Sequence, residues 1–113
     1  MSERDYDGYE VFDLYRLGSL FLDIDDPRSA VGHLEAALER EPGDPAIERL
    51  LARALYRFAA LGRAEELLRR IVERDPADVE STFLLGRTLQ RRGRPVEART
   101  YLRLAAAMDP SYL

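Results

Sequence analysis

Side chains that catalyse reactions are scarce in this chain, and those that recognise partners are plentiful. Histidine occurs once, at His33, and cysteine does not occur. A histidine works as a base or metal ligand only with a nucleophile, an orienting carboxylate or further ligands around it. His33 follows Gly32 and has no such set, so it reads as a surface or groove-edge residue. Asp23, Asp25 and Asp26 have the spacing of the start of a calcium loop, but Arg28 and Leu34 stand where that loop needs its turn glycine and distal glutamate. Asp26 before Pro27 reads instead as a helix cap. With no glycine-rich phosphate loop and no metal-binding helix motif, no catalytic residue, cofactor or metal is expected. What remains is arginine, which supplies all 17 basic residues. Arg49, Arg53 and Arg57 recur every fourth residue, and like charges at that spacing on one helix repel by a few tenths of a kcal/mol per pair. Such a stripe calls for internal acids or a partner. Guanidinium groups suit carboxylates and aromatic faces, which is chemistry of recognition rather than turnover.

The elements that position these residues are set by an interval. Pro42, Pro76 and Pro110 stand 34 residues apart (76 − 42 and 110 − 76). Sliding the chain by that interval aligns Leu17, Leu51 and Leu85, then Gly18, Ala52 and Gly86, then Phe21, Leu55 and Leu89. In the second half Ala30, Ala64 and Ala98 align, then Leu34, Leu68 and Leu102, then Ala37, Ile71 and Ala105. Periods of this size signal stacked supersecondary units. The apolar residues recur at three and four, which puts them on one face of each of two helices per unit. Two helices cross closely where the facing side chains are small, so Gly or Ala in the first helix is expected to meet Ala in the second. Proline lacks the amide donor and disfavours helix in the residue before it, so each recurrent proline ends the second helix.

This pattern resembles the tetratricopeptide repeat family, with units at 11–44, 45–78 and 79–112 that cover 102 of the 113 residues (3 × 34). The resemblance implies an all-α fold, a right-handed superhelix of three helix-turn-helix units preceded by a tail over residues 1–10. The sequence departs from the family at the early aromatic, replaced by Leu14, Glu48 and Thr82. Its turn glycine is present at Gly93, with Asp25 and Ala59 at the equivalent places and Gly62 displaced by three.

A chain of this length can fold as one domain, burying about two-thirds of its unfolded surface. It has no apolar stretch long enough to span a membrane and no leader pattern, and the reading is cytoplasmic. Charge is unevenly spread. Residues 1–44 carry 12 acids and 4 Arg, a net of −8, and residues 45–113 carry 9 acids and 13 Arg, a net of +4. Helices are expected at about 9–23, from Asp26-Pro27 onward, at 45–60 after Asp44, 63–74 after Gly62, 79–92 after Asp78, and from Pro95 to Met108. The helix over 9–23 is apolar nearly all round and ought to be covered on more than one side. The residues before it, up to about Gly8, read as a frayed tail with the helix start near Asp7.

The resemblance implies a non-catalytic protein-interaction module, an adaptor or co-chaperone-like scaffold whose first helices line a concave peptide groove. That face would hold Phe12, Tyr15, Ser19, Leu22 and Asp23, then Arg49, Arg53, Tyr56 and Arg57, then Phe83, Arg87, Gln90 and Arg91. Five Arg against Asp23 predict an acidic partner segment with apolar anchors, unless Asp23, Glu48 and Glu80 simply neutralise the face. Family members that grip a terminal carboxylate use Lys and Asn at positions held here by Tyr15, Ser19, Leu50, Glu80 and Leu84, so that clamp is not expected.

Two other readings stay open. Ala36 and Arg70, Glu39 and Glu73, Arg40 and Arg74 have Leu104, Ala107 and Met108 as counterparts in the last unit, which becomes more apolar where a terminal repeat should become less so. With Tyr112 and Leu113, this surface suits self-association as a homodimer, unless Tyr112 and Leu113 fold back over it. Arg91, Arg92 and Arg94, with the groove arginines and with Tyr56 and Phe83 for stacking, would suit weak RNA or single-stranded DNA binding. The acidic first unit and a pI near 5.1 oppose that reading.

Overall fold

The computed structural model describes residues 8–113; the expected tail over 1–7, with its helix start near Asp7, lies outside the described residues. Six helices follow one another: α1 (Val11–Asp23), α2 (Pro27–Arg40), α3 (Pro45–Arg57), α4 (Leu61–Arg74), α5 (Val79–Arg91) and α6 (Pro95–Met108), with a terminal 3-10 turn (Pro110–Tyr112). There is no strand among the described residues. The helices gather into two compact units, the first ending at Phe58 and the second running Ala59–Leu113.

Local chemistry accounts for the boundaries. Asp26, Asp44 and Asp78 each accept a hydrogen bond from the backbone amide three residues on, Ser29 at 3.1 Å, Ile47 at 3.0 Å and Ser81 at 3.0 Å, satisfying amides that helix geometry leaves free. Pro27, Pro45 and Pro95 open three helices. Before the recurrent prolines, Glu41, Asp75 and Asp109 take φ/ψ of −128/72, −133/84 and −149/109. None is helical, as the ring of the following proline demands, so α2, α4 and α6 are each 14 residues long.

The first-helix ends use the left-handed conformation. Asp25, Ala59 and Gly93 have φ of 60°, 62° and 78°. After α1 the Asp26 amide reaches Phe21 O at 2.7 Å and the Asp25 amide reaches Leu22 O at 3.1 Å. After α5 the Arg94 amide reaches Leu89 O at 3.0 Å and the Gly93 amide reaches Gln90 O at 3.1 Å. Both are six-residue helix-end closures that leave few carbonyls orphaned. The turn after Arg57 falls earlier than the expected 60, because Ala59 takes the left-handed place, and Gly62 lies inside α4 instead of preceding it. A β-carbon in this conformation is disfavoured by about 1–2 kcal/mol, offset in part by the entropy glycine loses on folding. Ala59 is exposed, so Ala59→Gly is expected to raise unfolding stability by about 0.5–1 kcal/mol in a denaturant titration. Asp25 is no equivalent target, since its carboxylate accepts from Arg57 at 2.8 Å.

In the first unit α1 packs on α2, α2 on α3, and α1 also meets α3. Leu14, Ala36, Ala37 and Ile47 form a buried cluster bordered by Val11, Tyr15 and Leu38. The small residues of the first helices leave room for the leucines of the second. A Cβ on Gly18 would lie 2.5 Å from Leu34 Cγ, and one on Gly86 would lie 2.7 Å from Leu102 Cδ2. The atoms nearest an added Cβ at either glycine thus belong to the large leucine of the following helix. In the second unit α4 packs on α5 and α5 on α6, burying Ala64, Leu68, Ile71, Leu85, Leu89, Ala98 and Ala105. Full burial of a leucine-sized side chain contributes about 1.5–3 kcal/mol. Thr82 and Thr88 are also buried, and their hydroxyls donate to Asp78 O at 2.9 Å and Leu84 O at 2.7 Å, which removes the penalty of an unsatisfied hydroxyl.

Candidate functional site

The first unit turns one face of α1 and α3 outward. Phe12 is 66% exposed, with the Arg16 guanidinium 5.6 Å from its ring centre. Tyr15 is half-buried and lies against the Leu14–Ile47 cluster. Between the two helices runs a groove with Val11, Phe12, Tyr15, Ala46 and Ile47 as its apolar lining and Glu41 and Asp44 at its rim. Ser19, Arg53 and Tyr56 are half-buried and Arg49 is exposed; Arg49, Arg53 and Tyr56 also have intramolecular partners. Two residues placed on this face by spacing do other work. Leu22 is 4% exposed and belongs to the core. Arg57 donates to Leu22 O at 3.0 Å and to Asp25 at 2.8 Å, tying the end of α3 to the turn after α1. The stripe of like charge is therefore relieved at one end by an internal acid.

The second unit presents Phe83, Arg87, Gln90 and Arg91 on α5. Phe83 is half-buried because Tyr112 folds back on it, ring centres 5.0 Å apart and tilted by 54°. Arg87 lies over the same ring at 5.9 Å. Gln90 and Arg91 are exposed, and Arg91 has an intramolecular partner. Tyr112 thus folds back onto Phe83 of α5, while Leu113 remains 96% exposed. Of the other residues read as a self-association surface, Leu104 is 45% exposed, Ala107 is exposed and Met108 is half-buried. Within one copy of the chain, Phe12 and Leu20 on α1 and Ile24 at its end are 66%, 51% and 61% exposed.

Two features escaped the sequence reading. His33 is buried rather than at a groove edge: its ring lies 4.9 Å from Phe21 and its Nδ1 is 2.8 Å from Ser29 O. A carbonyl only accepts, so Nδ1 carries the proton. The signal was available, because the positions 34 and 68 residues on are the large residues Leu67 and Tyr101. The second feature is Glu65, buried on α4, whose carboxylate receives Arg69 at 2.9 Å, Arg92 at 3.0 Å and Arg94 at 2.8 Å. Glu97 extends the cluster, accepting from Arg69 and Arg94 at 2.8 Å each. Arg92 and Arg94, read as contacts for phosphate, are thus engaged within the protein. Burial pushes the Glu65 carboxyl up, but the hydrogen bonds from Arg69 and Arg94 outweigh it and leave it below the ordinary range. No cluster of His, Cys, Asp or Glu among the described residues is arranged to hold a metal, and none of their helices is long and apolar enough to cross a membrane.

A family model for the tetratricopeptide repeat matches residues 15–79 and 61–112. No match was found among the curated proteins. Among solved structures, MamA is similar with a TM-score of 0.83 at 19% identity over 94% of this chain and 62% of that one. A MamA from Desulfovibrio magneticus RS-1 gives 0.81 at 22% over 95% and 60%. YrrB, described as a TPR protein with an unusual peptide-binding site, gives 0.83 at 22% over 91% and 54%. These likenesses are of fold, that of a helical-repeat solenoid, and the chain spans between 54% and 62% of those three chains.

Proposed function

The chain belongs to the tetratricopeptide repeat family, and from that premise we propose that residues 11–112, as three repeats, act as a non-catalytic protein-interaction module that captures an extended peptide segment. The observation that carries the reading is the α1/α3 face, where the exposed Phe12, with the Arg16 guanidinium over its ring, borders an apolar groove on the two helices. Phe12, Tyr15, Ala46 and Ile47 are the seat for an apolar anchor of the peptide. Arg49 and Arg53, one and two turns along α3, meet a carboxylate that follows the anchor. A buried aromatic anchor contributes most of such a contact, and the peripheral charges set partner choice and on-rate. In the second unit Phe83, Arg87, Gln90 and Arg91 on α5 offer the same combination of one ring with guanidinium groups. YrrB, whose fold this chain shares, is described as peptide-binding, which supports the class of ligand and not its sequence.

The test is selection of peptides from a random display library on the immobilised chain, followed by titration of a synthetic, fluorescently labelled winner. Enriched peptides are expected to pair an aromatic or aliphatic residue with nearby Asp or Glu. Phe12→Asp and Arg53→Glu are each expected to weaken binding by tenfold or more, a difference of about 1.4 kcal/mol, at unchanged helix content. Enrichment of basic peptides, or a labelled peptide indifferent to both substitutions, would overturn the reading.

A further inference from the structure

α1 and α6 each turn to solvent a face that elsewhere in the chain is covered by a neighbouring helix. α3 lies on α2 and α5 lies on α4. In the α4–α5 seam the carboxylate of Glu65 is met by Arg92 and Arg94 from the far end of α5 and its turn. Advancing by the 34-residue interval, the places of Glu65 and Arg69 fall on α6 at Arg99 and Arg103 (65 + 34 and 69 + 34), both exposed. They lie with Leu102 and Ala106 on one groove. Going back two intervals, the places of Arg92 and Arg94 fall at the end of α1 on Ile24 and Asp26 (92 − 68 and 94 − 68), next to the exposed Leu20 and Asp23. The seam that exists has its acid on the earlier helix and its arginines after the later one. The two uncovered faces carry the same arrangement with the signs exchanged.

We propose that these faces belong together in two copies of the chain: α1 of one copy lies on α6 of another, Leu20 and Ile24 against Leu102 and Ala106, with Asp23 and Asp26 facing Arg99 and Arg103. The contact repeats a helix packing the chain already uses within each unit. Charge decides its symmetry. A two-fold contact of α6 with α6 sets Arg99 and Arg103 against arginines, and like charges in juxtaposition oppose it; the α1 face carries two acids, Asp13 and Asp23, beside Arg16, which suits the basic α6 face better than a second α1. With the two faces of each copy bound to different neighbours, the contact is heterologous, each pair still offers one α1 and one α6, and association continues past two copies. Tyr112 and Leu113 border the same groove, Tyr112 packed against Phe83, and Arg99 and Arg103 remain exposed beside them.

Sedimentation and light scattering of the chain over a range of concentrations test this. At low salt the average mass of the wild type is expected to rise with concentration beyond that of two copies, and to fall when salt screens the ion pairs. Arg99→Glu with Arg103→Glu blocks α6, and Leu20→Arg, at an exposed position, blocks α1; each variant is expected to be monomeric with the circular dichroism of the wild type. Mixed, the two are expected to form a one-to-one pair and nothing larger, because one brings a usable α1 and the other a usable α6. A wild type monomeric at every concentration, a mass that stops at two copies and survives Leu20→Arg, or mixed variants that stay apart overturns the proposal.

Discussion

Gly18→Ala is expected to destabilise the chain by about 2 kcal/mol and Leu34→Ala by about 2–5 kcal/mol, while the two together destabilise it by less than their sum. An added Cβ at Gly18 lies 2.5 Å from Leu34 Cγ, 2.6 Å from Cδ2 and 3.1 Å from Cδ1. Leu34 is wholly buried, so it has no solvent to swing into. Overpacking of this kind costs about 1–3 kcal/mol, against about 1 kcal/mol gained when alanine replaces glycine inside a helix. A contact this short puts the penalty at the upper end, which decides the sign. With Leu34 cut to alanine, the new methyl group occupies vacated space, and a coupling of about 1–2 kcal/mol is expected from a double-mutant cycle by denaturant unfolding. Gly86→Ala is the milder case. Its Cβ would meet Leu102 Cδ2 at 2.7 Å and the Leu102 backbone nitrogen at 3.2 Å, but Leu102 is half-buried and can turn toward its open groove. Additivity of Gly18→Ala and Leu34→Ala would mean that the helices separate instead of the side chains competing for one space.

The same contact shows what could be read from spacing alone. Periodicity locates which residues share a face, so the recurrence of Leu34, Leu51, Leu68 and Leu85 in the core was legible, as were the caps at Asp26, Asp44 and Asp78. Periodicity does not say which residue of the second helix sits over a given residue of the first, because side chains lean along the helix toward its N-terminus. Hence spacing did not single out the leucines whose atoms lie nearest the glycines. The turn after α3 was misplaced for a related reason. Gly62 attracted the boundary as the residue most at ease with positive φ, yet Ala59 holds the left-handed position, as Asp25 and Gly93 do at the same interval.

The candidate site was legible as a set of surface positions, less so as a set of available groups. Phe12 and Arg49 are exposed as expected, but Arg57 is held by Asp25 and Phe83 by Tyr112. Both pairings join residues about 30 apart, which no single-helix pattern reports. Glu65 is the clearest omission. Its equivalents 34 residues either side are Val31 and Arg99, and a position that is apolar in one repeat, acidic in the next and basic in the third signals a changing neighbour rather than a solvated face.

Glu65→Gln is expected to lower stability by about 2 kcal/mol at neutral pH and to remove much of its decline in acid. The carboxylate is 11% exposed, and its guanidinium partners are 34–42% exposed. A charge-assisted hydrogen bond contributes about 1.5–3 kcal/mol, but arginines that reach water recover much of it when the acid is removed, so the three contacts do not add. Glutamine keeps one acceptor oxygen and turns an NH2 donor toward a guanidinium, which is itself only a donor. For the pH dependence the sign follows from the folded-state shift. Burial raises the Glu65 carboxyl and the bonds from Arg69 and Arg94 lower it further than that, leaving it below the ordinary value of 4.5. A group lowered on folding contributes stability that is present above its unfolded value and lost as pH falls through the folded one. The wild type is therefore expected to lose stability as pH drops below about 4.5, and the gap between it and Glu65→Gln to close over that range. Glu97, lowered by Arg69 and Arg94, and Asp26 and Asp109, lowered by their bonds to Ser29 and Ser111, remain in the variant and keep part of the slope. Unfolding free energies measured at successive pH values check this. A gap that stays constant into acid would mean that the shape of Glu65, and not its charge, holds α4 to the turn between α5 and α6.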